Sequence, residues 1–190
     1  TDQYASILYV DEAIRNFMNS YAGRNDFNNT IFIVTGDHRM PEIPMSTKID
    51  RYHVPLIIYS PLLKRVESFG ALSTHMDITP SLLSLLTHQY NYKVPSMATW
   101  LGKSLDTARS FRNIHSYPFI QTKSDIEDYV MDEYMLHGDE LFKISDNMNL
   151  DPVTDDKEKA RLKSAFAGFM QKNSTLGKTT SMLPDSLLIK

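Results

Sequence analysis

A run of β-branched and aromatic residues that ends abruptly in an acid and an imidazole constrains this chain more than any other feature. Thr30-Ile31-Phe32-Ile33-Val34 carries little polarity and no alternation. Such a run, bounded by polar residues, fits a strand buried on both faces of a parallel sheet. It stops at Thr35-Gly36, and Asp37-His38-Arg39 follow at once. Ligands of open α/β sheets bind beyond the carboxyl ends of the strands. Gly36 permits a sharp turn there, which would leave Asp37 and His38 at the rim. A carboxylate oxygen beside an imidazole nitrogen suits a divalent metal such as zinc or manganese. The same dipeptide also serves as an ordinary turn with an Asx-type cap, and alone it leaves both readings open.

The rest of the chain supplies a domain for that strand. Its 190 residues allow one domain with a sizeable core. A net charge of −3 gives no electrostatic footprint for nucleic acid or an anionic membrane surface. The chain has no cysteine, which excludes disulfides, thiolate metal sites and a cysteine nucleophile. No apolar run approaches the roughly 18 residues a membrane helix needs. The chain opens on Thr, directly into a helical pattern, as a piece of a longer protein would.

Residues 3–22 repeat Ile7, Val10, Ile14, Phe17, Met18 and Tyr21 at helical spacing, which predicts an amphipathic helix. A polar loop then feeds the strand, the helix–loop–strand order of an α/β sheet. Beyond Asp37-His38, residues 40–52 are irregular around Pro41 and Pro44. Arg39, Lys48 and Arg51 make this loop basic, which suits an anionic substrate as well as it suits a solvated surface. Val54–Ser60 predicts a second buried strand, with Pro55 tolerated near its start. Thr79 and Pro80 fit the cap and first position of a helix running to about Leu86. His75 and Asp77 lie just before it. His75 reads either as a further ligand or phosphate contact, or as a polar loop residue capping backbone groups.

Further on, Trp100 reads as a packing anchor. Residues 116–123 carry a short β pattern. Tyr129–Leu136 and Glu140–Ile144 predict the arms of a hairpin turning at His137-Gly138-Asp139 and added antiparallel at a sheet edge. Thr154 fits the cap of a last helix with Leu162, Phe166, Phe169 and Met170 on its apolar face.

Three blocks in order carry a family resemblance. They are Tyr9–Ile14 leading into Asn29–His38, then Val54–Pro61, then Asp77–Leu83. Over residues 1–90 they resemble the C-terminal half of the sulfatase-like branch of the alkaline phosphatase superfamily, closest to lipoteichoic acid synthase and the phosphoglycerol and phosphoethanolamine transferases. Residues 91–190 resemble the family only as a terminal hairpin and helix. The fold the resemblance implies is α/β. It is a mostly parallel sheet flanked by helices, the C-terminal part of an alkaline phosphatase-like three-layer α/β/α domain, with the antiparallel hairpin added.

The resemblance implies Asp37 and His38 as ligands of a divalent metal: manganese or zinc, or calcium if the protein is a true sulfatase. It implies substrate contacts for His75 and, less directly, Arg39, which departs from the glycine or tyrosine common after the pair. The family's nucleophile lies in the amino-terminal half, which would precede residue 1, so none is assigned here. The implied partners are that missing half and a phospholipid, glycan or sulfate-ester substrate, with no nucleic acid. The implied location is extracytoplasmic, periplasmic or at the cell surface, tethered by membrane helices outside this chain. The leading function is a transferase acting through a covalent intermediate, with this chain alone inactive. Its alternatives are a sulfuric ester or phosphodiester hydrolase, another superfamily member such as a phosphoglycerate mutase or nucleotide phosphodiesterase, and an inactive fold fragment serving as a binding module. A domain cut in two would also expose apolar surface and self-associate.

Overall fold

A computed structural model of the chain describes residues 2–94, 101–120, 122 and 125–176. Trp100 and the apolar end Leu187-Leu188-Ile189 lie outside them. The chain is α/β, with both helices and sheets. It divides into two compact units, Thr1–Glu67 and Ser68–Lys190.

In the first unit, helix α1 spans Asp2–Ala22, where the apolar spacing placed it. Strand β1 (Phe32–Thr35) follows, and then β2 (Leu56–Tyr59). Phe32 anchors this unit. Its ring lies 6.3 Å from Phe17, 5.1 Å from Tyr21, 5.9 Å from Phe27 and 5.9 Å from Tyr59. Edge-on and tilted contacts of this kind add to the area the rings bury. Phe32 and Ile49 are the buried apolar side chains among the unit's described residues.

Two expectations fail here. The predicted sheet is mostly parallel, but β1 and β2 pair antiparallel, with Phe32 opposite Tyr59 and Thr35 opposite Leu56. Parallel neighbours need a crossover, usually a helix. Between β1 and β2 the chain supplies only loop and a 3₁₀ turn at Ile49–Arg51, which lets β2 return alongside β1. The predicted burial of the second strand also fails. Leu56, Ile57, Ile58 and Tyr59 are 37%, 56%, 41% and 40% exposed. On α1 no residue is buried, and Ile7, Leu8, Val10 and Ile14 are exposed. A two-stranded ribbon is marginal by itself, and this one offers apolar side chains on both faces.

In the second unit, helix α2 spans Ile78–Tyr90 and ends on Asn91 in the left-handed region at φ 51°. Asp77, not Thr79, takes its N-cap position, and the helix runs past the predicted end at Leu86. A five-stranded antiparallel meander follows: β3 (Ser116–Ile120), β4 (Ile126–Met131), β5 (Tyr134–His137), β6 (Glu140–Ser145) and β7 (Asn149–Pro152). The predicted hairpin is therefore part of a larger sheet of its own, not an edge added to the first. Its first arm, read as Tyr129–Leu136, is two strands joined by Asp132-Glu133. Asp132 adopts φ 52°, which an aspartate tolerates in a tight turn. The β5–β6 turn sits where predicted, with Gly138 at φ 55°.

Helix α3 (Asp156–Leu176) covers one face of this sheet. Tyr129, Leu136, Leu141 and Leu162 are buried together, with Ala165, Phe166 and Phe169 packed against them. The rings of Tyr129 and Phe166 stack at 5.2 Å. Met170, predicted on this face, is exposed. The cap is Asp155 and not Thr154: its carboxylate accepts the Glu158 N–H at 3.0 Å.

Two glycines in this unit should respond oppositely to alanine. A Cβ on Gly168 in α3 meets nothing within 4 Å. Gly168→Ala should therefore raise the unfolding free energy by about 0.5–1 kcal/mol in a urea titration. A Cβ on Gly102 would overlap the Met76 carbonyl. Gly102→Ala should lower the same quantity by about 1–3 kcal/mol, and equal effects of the two changes would contradict this packing.

Candidate functional site

The end of β1 presents its acid and imidazole to solvent. The side chains of Asp37 and His38 are 90% and 70% exposed. Asp37 Oδ1 accepts the N–H of the adjacent His38 at 3.0 Å, one residue short of the span of an Asx turn. Asp37 Oδ2 lies 3.7 Å from His38 Nε2. The other ring nitrogen is fixed: His38 Nδ1 is 2.7 Å from the Arg39 carbonyl. A carbonyl only accepts, so Nδ1 donates and the neutral ring keeps its lone pair on Nε2. A backbone carbonyl on the far nitrogen is the arrangement that orients metal-ligating histidines. Gly36 takes an ordinary backbone conformation, and a Cβ there would touch Val54 and the His38 carbonyl at 3.4 Å.

Arg39 turns inward along the loop. Its guanidinium donates to the carbonyls of Met40 at 2.9 Å, Ile43 at 2.5 Å and Pro41 at 3.3 Å. It organises the segment after the Asp-His pair. Further along, Asp50 Oδ2 accepts the N–H groups of Ser46 at 2.8 Å and Thr47 at 2.9 Å. These backbone donors hold the Asp50 carboxyl below its ordinary range.

Residues 1–88 match the Sulfatase family model. The match supports the sulfatase and alkaline phosphatase-like superfamily resemblance over the segment that carries all three sequence blocks. No curated protein and no solved structure matches the chain. Sulfatase-family enzymes generally use a divalent metal, and the sulfatase-matched segment fits that use in part. Asp37 Oδ2 and His38 Nε2 are two adjacent donors of the right chemistry. Zinc sites take three or more protein ligands, and no group of three candidate ligands occurs among the described residues. The pair therefore fits as part of a ligand set.

His75 is exposed and belongs to the second unit. It opens a 3₁₀ turn, His75–Asp77, inside the sulfatase-matched segment. Thr74 and Asp77 close a capping box around it, with Asp77 Oδ2 accepting the Thr74 N–H at 2.8 Å. Sequence reasoning named Asp77 as a neighbour of His75 and as the first residue of the third block, without a role of its own, yet it is fully buried. It missed Asp106 altogether. That carboxylate is buried and held by Arg112, Nε at 2.6 Å and Nη2 at 2.7 Å, and by the Ala108 N–H at 3.1 Å. A Ser-Leu-Asp stretch in a loop gives no period or spacing from which to find it.

The fork from Arg112 holds the Asp106 carboxyl below its ordinary range. A lowered folded-state value stabilises the fold above the unfolded value of about 3.9 and is lost as pH falls through the folded one. Arg112→Gln should therefore move the acid unfolding midpoint, followed by circular dichroism, to higher pH. An unchanged midpoint would contradict the role given to this pair.

Proposed function

We propose that this chain carries the metal-binding strand end of a sulfatase-superfamily phosphoryl-group transferase of the phosphoglycerol or phosphoethanolamine type. The observation that carries the reading is the Asp37–His38 pair at the end of β1, with Oδ2 and Nε2 3.7 Å apart and Nδ1 tied to the Arg39 carbonyl. Asp37 would supply a carboxylate oxygen and His38 its Nε2 to manganese or zinc. A bound divalent ion polarises the ester oxygen and lowers the pKa of an attacking hydroxyl. Arg39 would shape the loop around that end, and His75 would contact the substrate's anionic group. The nucleophile that forms the covalent intermediate would come from polypeptide outside this chain.

The exposed apolar residues of α1 and β2 support a partner that covers them. We assign that role to the amino-terminal half of the catalytic domain, with self-association of the chain when that half is absent. The match to the Sulfatase family model favours one second reading, a sulfuric ester hydrolase.

Turnover by the full polypeptide tests both readings. With a soluble phosphodiester such as bis-p-nitrophenyl phosphate, Asp37→Ala and His38→Ala should each lower kcat/KM by about 100-fold, the upper end of losses from disturbed metal sites. Undiminished turnover in both variants would overturn the reading. A preference for p-nitrophenyl sulfate over the phosphodiester would select the hydrolase.

A further inference from the structure

The five-stranded sheet has no part in the chemistry proposed for the strand end, yet one of its side chains reaches the turn that carries His75. Tyr117 in β3 is 1% exposed, and its phenol donates to Asp77 Oδ2 at 2.6 Å. The same oxygen accepts from Thr74 N at 2.8 Å and from Thr74 Oγ1 at 3.1 Å. Asp77 Oδ1 accepts the Lys103 N–H at 3.0 Å. Donors from three stretches of chain thus converge on one carboxylate.

Neighbouring bonds bind the same stretches. Ser81 Oγ donates to the Asp77 carbonyl at 2.7 Å and accepts the Leu105 N–H at 2.8 Å. Gly102 lies so close to the Met76 carbonyl that no side chain fits between them. Burial, and after it the Asp77 carboxylate, pushes the Tyr117 hydroxyl far above its ordinary range, so it remains a donor at any working pH.

A helix cap alone does not require this arrangement. The bonds with Thr74 already close the turn, whereas those from Lys103 and Tyr117 span 26 and 40 residues of sequence. Between the two capping residues stands His75, with its side chain at the surface. We infer that Asp77 is a positioning residue for His75, and that Tyr117 and the Lys103 backbone make the five-stranded sheet the buttress of the turn that presents this imidazole to an anionic group. The inference rests on the proposed contact between His75 and substrate. It gives the part of the chain that lies outside the family match a role at that turn.

The test reads His75 directly. Inorganic phosphate is titrated into the full chain, isotopically labelled at histidine, and the His75 ring resonances report the apparent affinity. The His88 ring, in the last turn of α2, reports on the fold. Tyr117→Phe removes one hydroxyl and leaves the capping box intact. Asp77→Asn puts an amide where Oδ2 accepts three donors. Tyr117→Phe should weaken the phosphate response at His75 about fivefold, the scale of one hydrogen bond, and Asp77→Asn by at least about tenfold, with the His88 signal unmoved. Wild-type affinity at His75 in Tyr117→Phe, whether or not Asp77→Asn folds, would make Asp77 a cap and overturn the inference alone. No response of His75 in the unaltered chain would overturn its reading as a substrate contact, and the inference with it.

Discussion

A strand that is apolar on both faces has to be covered on both faces. Phe32 meets that requirement through the rings of Phe17, Tyr21, Phe27 and Tyr59. Its partner strand does not. Fully burying a residue such as Leu56, Ile57 or Ile58 is worth about 1.5–3 kcal/mol, and all three remain more than a third exposed. The first half of α1 is in the same condition, with Ile7, Leu8 and Val10 in solvent. The unit that carries the candidate metal ligands is therefore the one with the least core. That imbalance is the physical argument for the proposed partner that covers α1 and β2.

The second unit closes its own core. Leu136, Leu141 and Leu162 are 2%, 4% and 0% exposed, and the face away from α3 buries Val130, Met135 and Ile144. Its buried carboxylates are all partnered. Asp106 has Arg112, Asp128 is 2.5 Å from His137 Nδ1, and Asp77 gathers donors from across the unit. A buried carboxylate without such partners would be strongly destabilising. The bonds to Asp77 tie the exposed 3₁₀ turn at His75–Asp77 to β3. The unit holds both the last sequence block and all of the chain beyond the family match. The C-terminal sheet is tied to the first residue of that block through the bond from Tyr117 to Asp77.

The sequence made local features legible and left long-range ones hidden. The period of α1 and the abrupt stop at Gly36-Asp37-His38 were readable because each lies within a few consecutive residues. Pairing direction was not. An apolar run such as Leu56–Tyr59 suits parallel and antiparallel neighbours alike, and the connection decides between them. Tyr129–Leu136 concealed a turn because Asp132-Glu133 lacks the glycine or proline that usually marks one. The helix caps were displaced by one or two residues: Asp155 next to Thr154 accepts the Glu158 N–H, and α2 continues directly from the 3₁₀ turn closed by Thr74 and Asp77, so it needs no cap at Thr79. Asp77 as a hub was out of reach of any local pattern, because Tyr117 comes from a different element 40 residues away.

The claim on which the functional account rests is that Asp37 and His38 hold one divalent ion together. Calorimetric titration of manganese and of zinc into the full polypeptide tests it most directly, with Asp37→Ala and His38→Ala beside the parent. The account predicts a single site whose heat disappears in both variants. Binding left intact by both substitutions would contradict it and move the metal centre away from the end of β1.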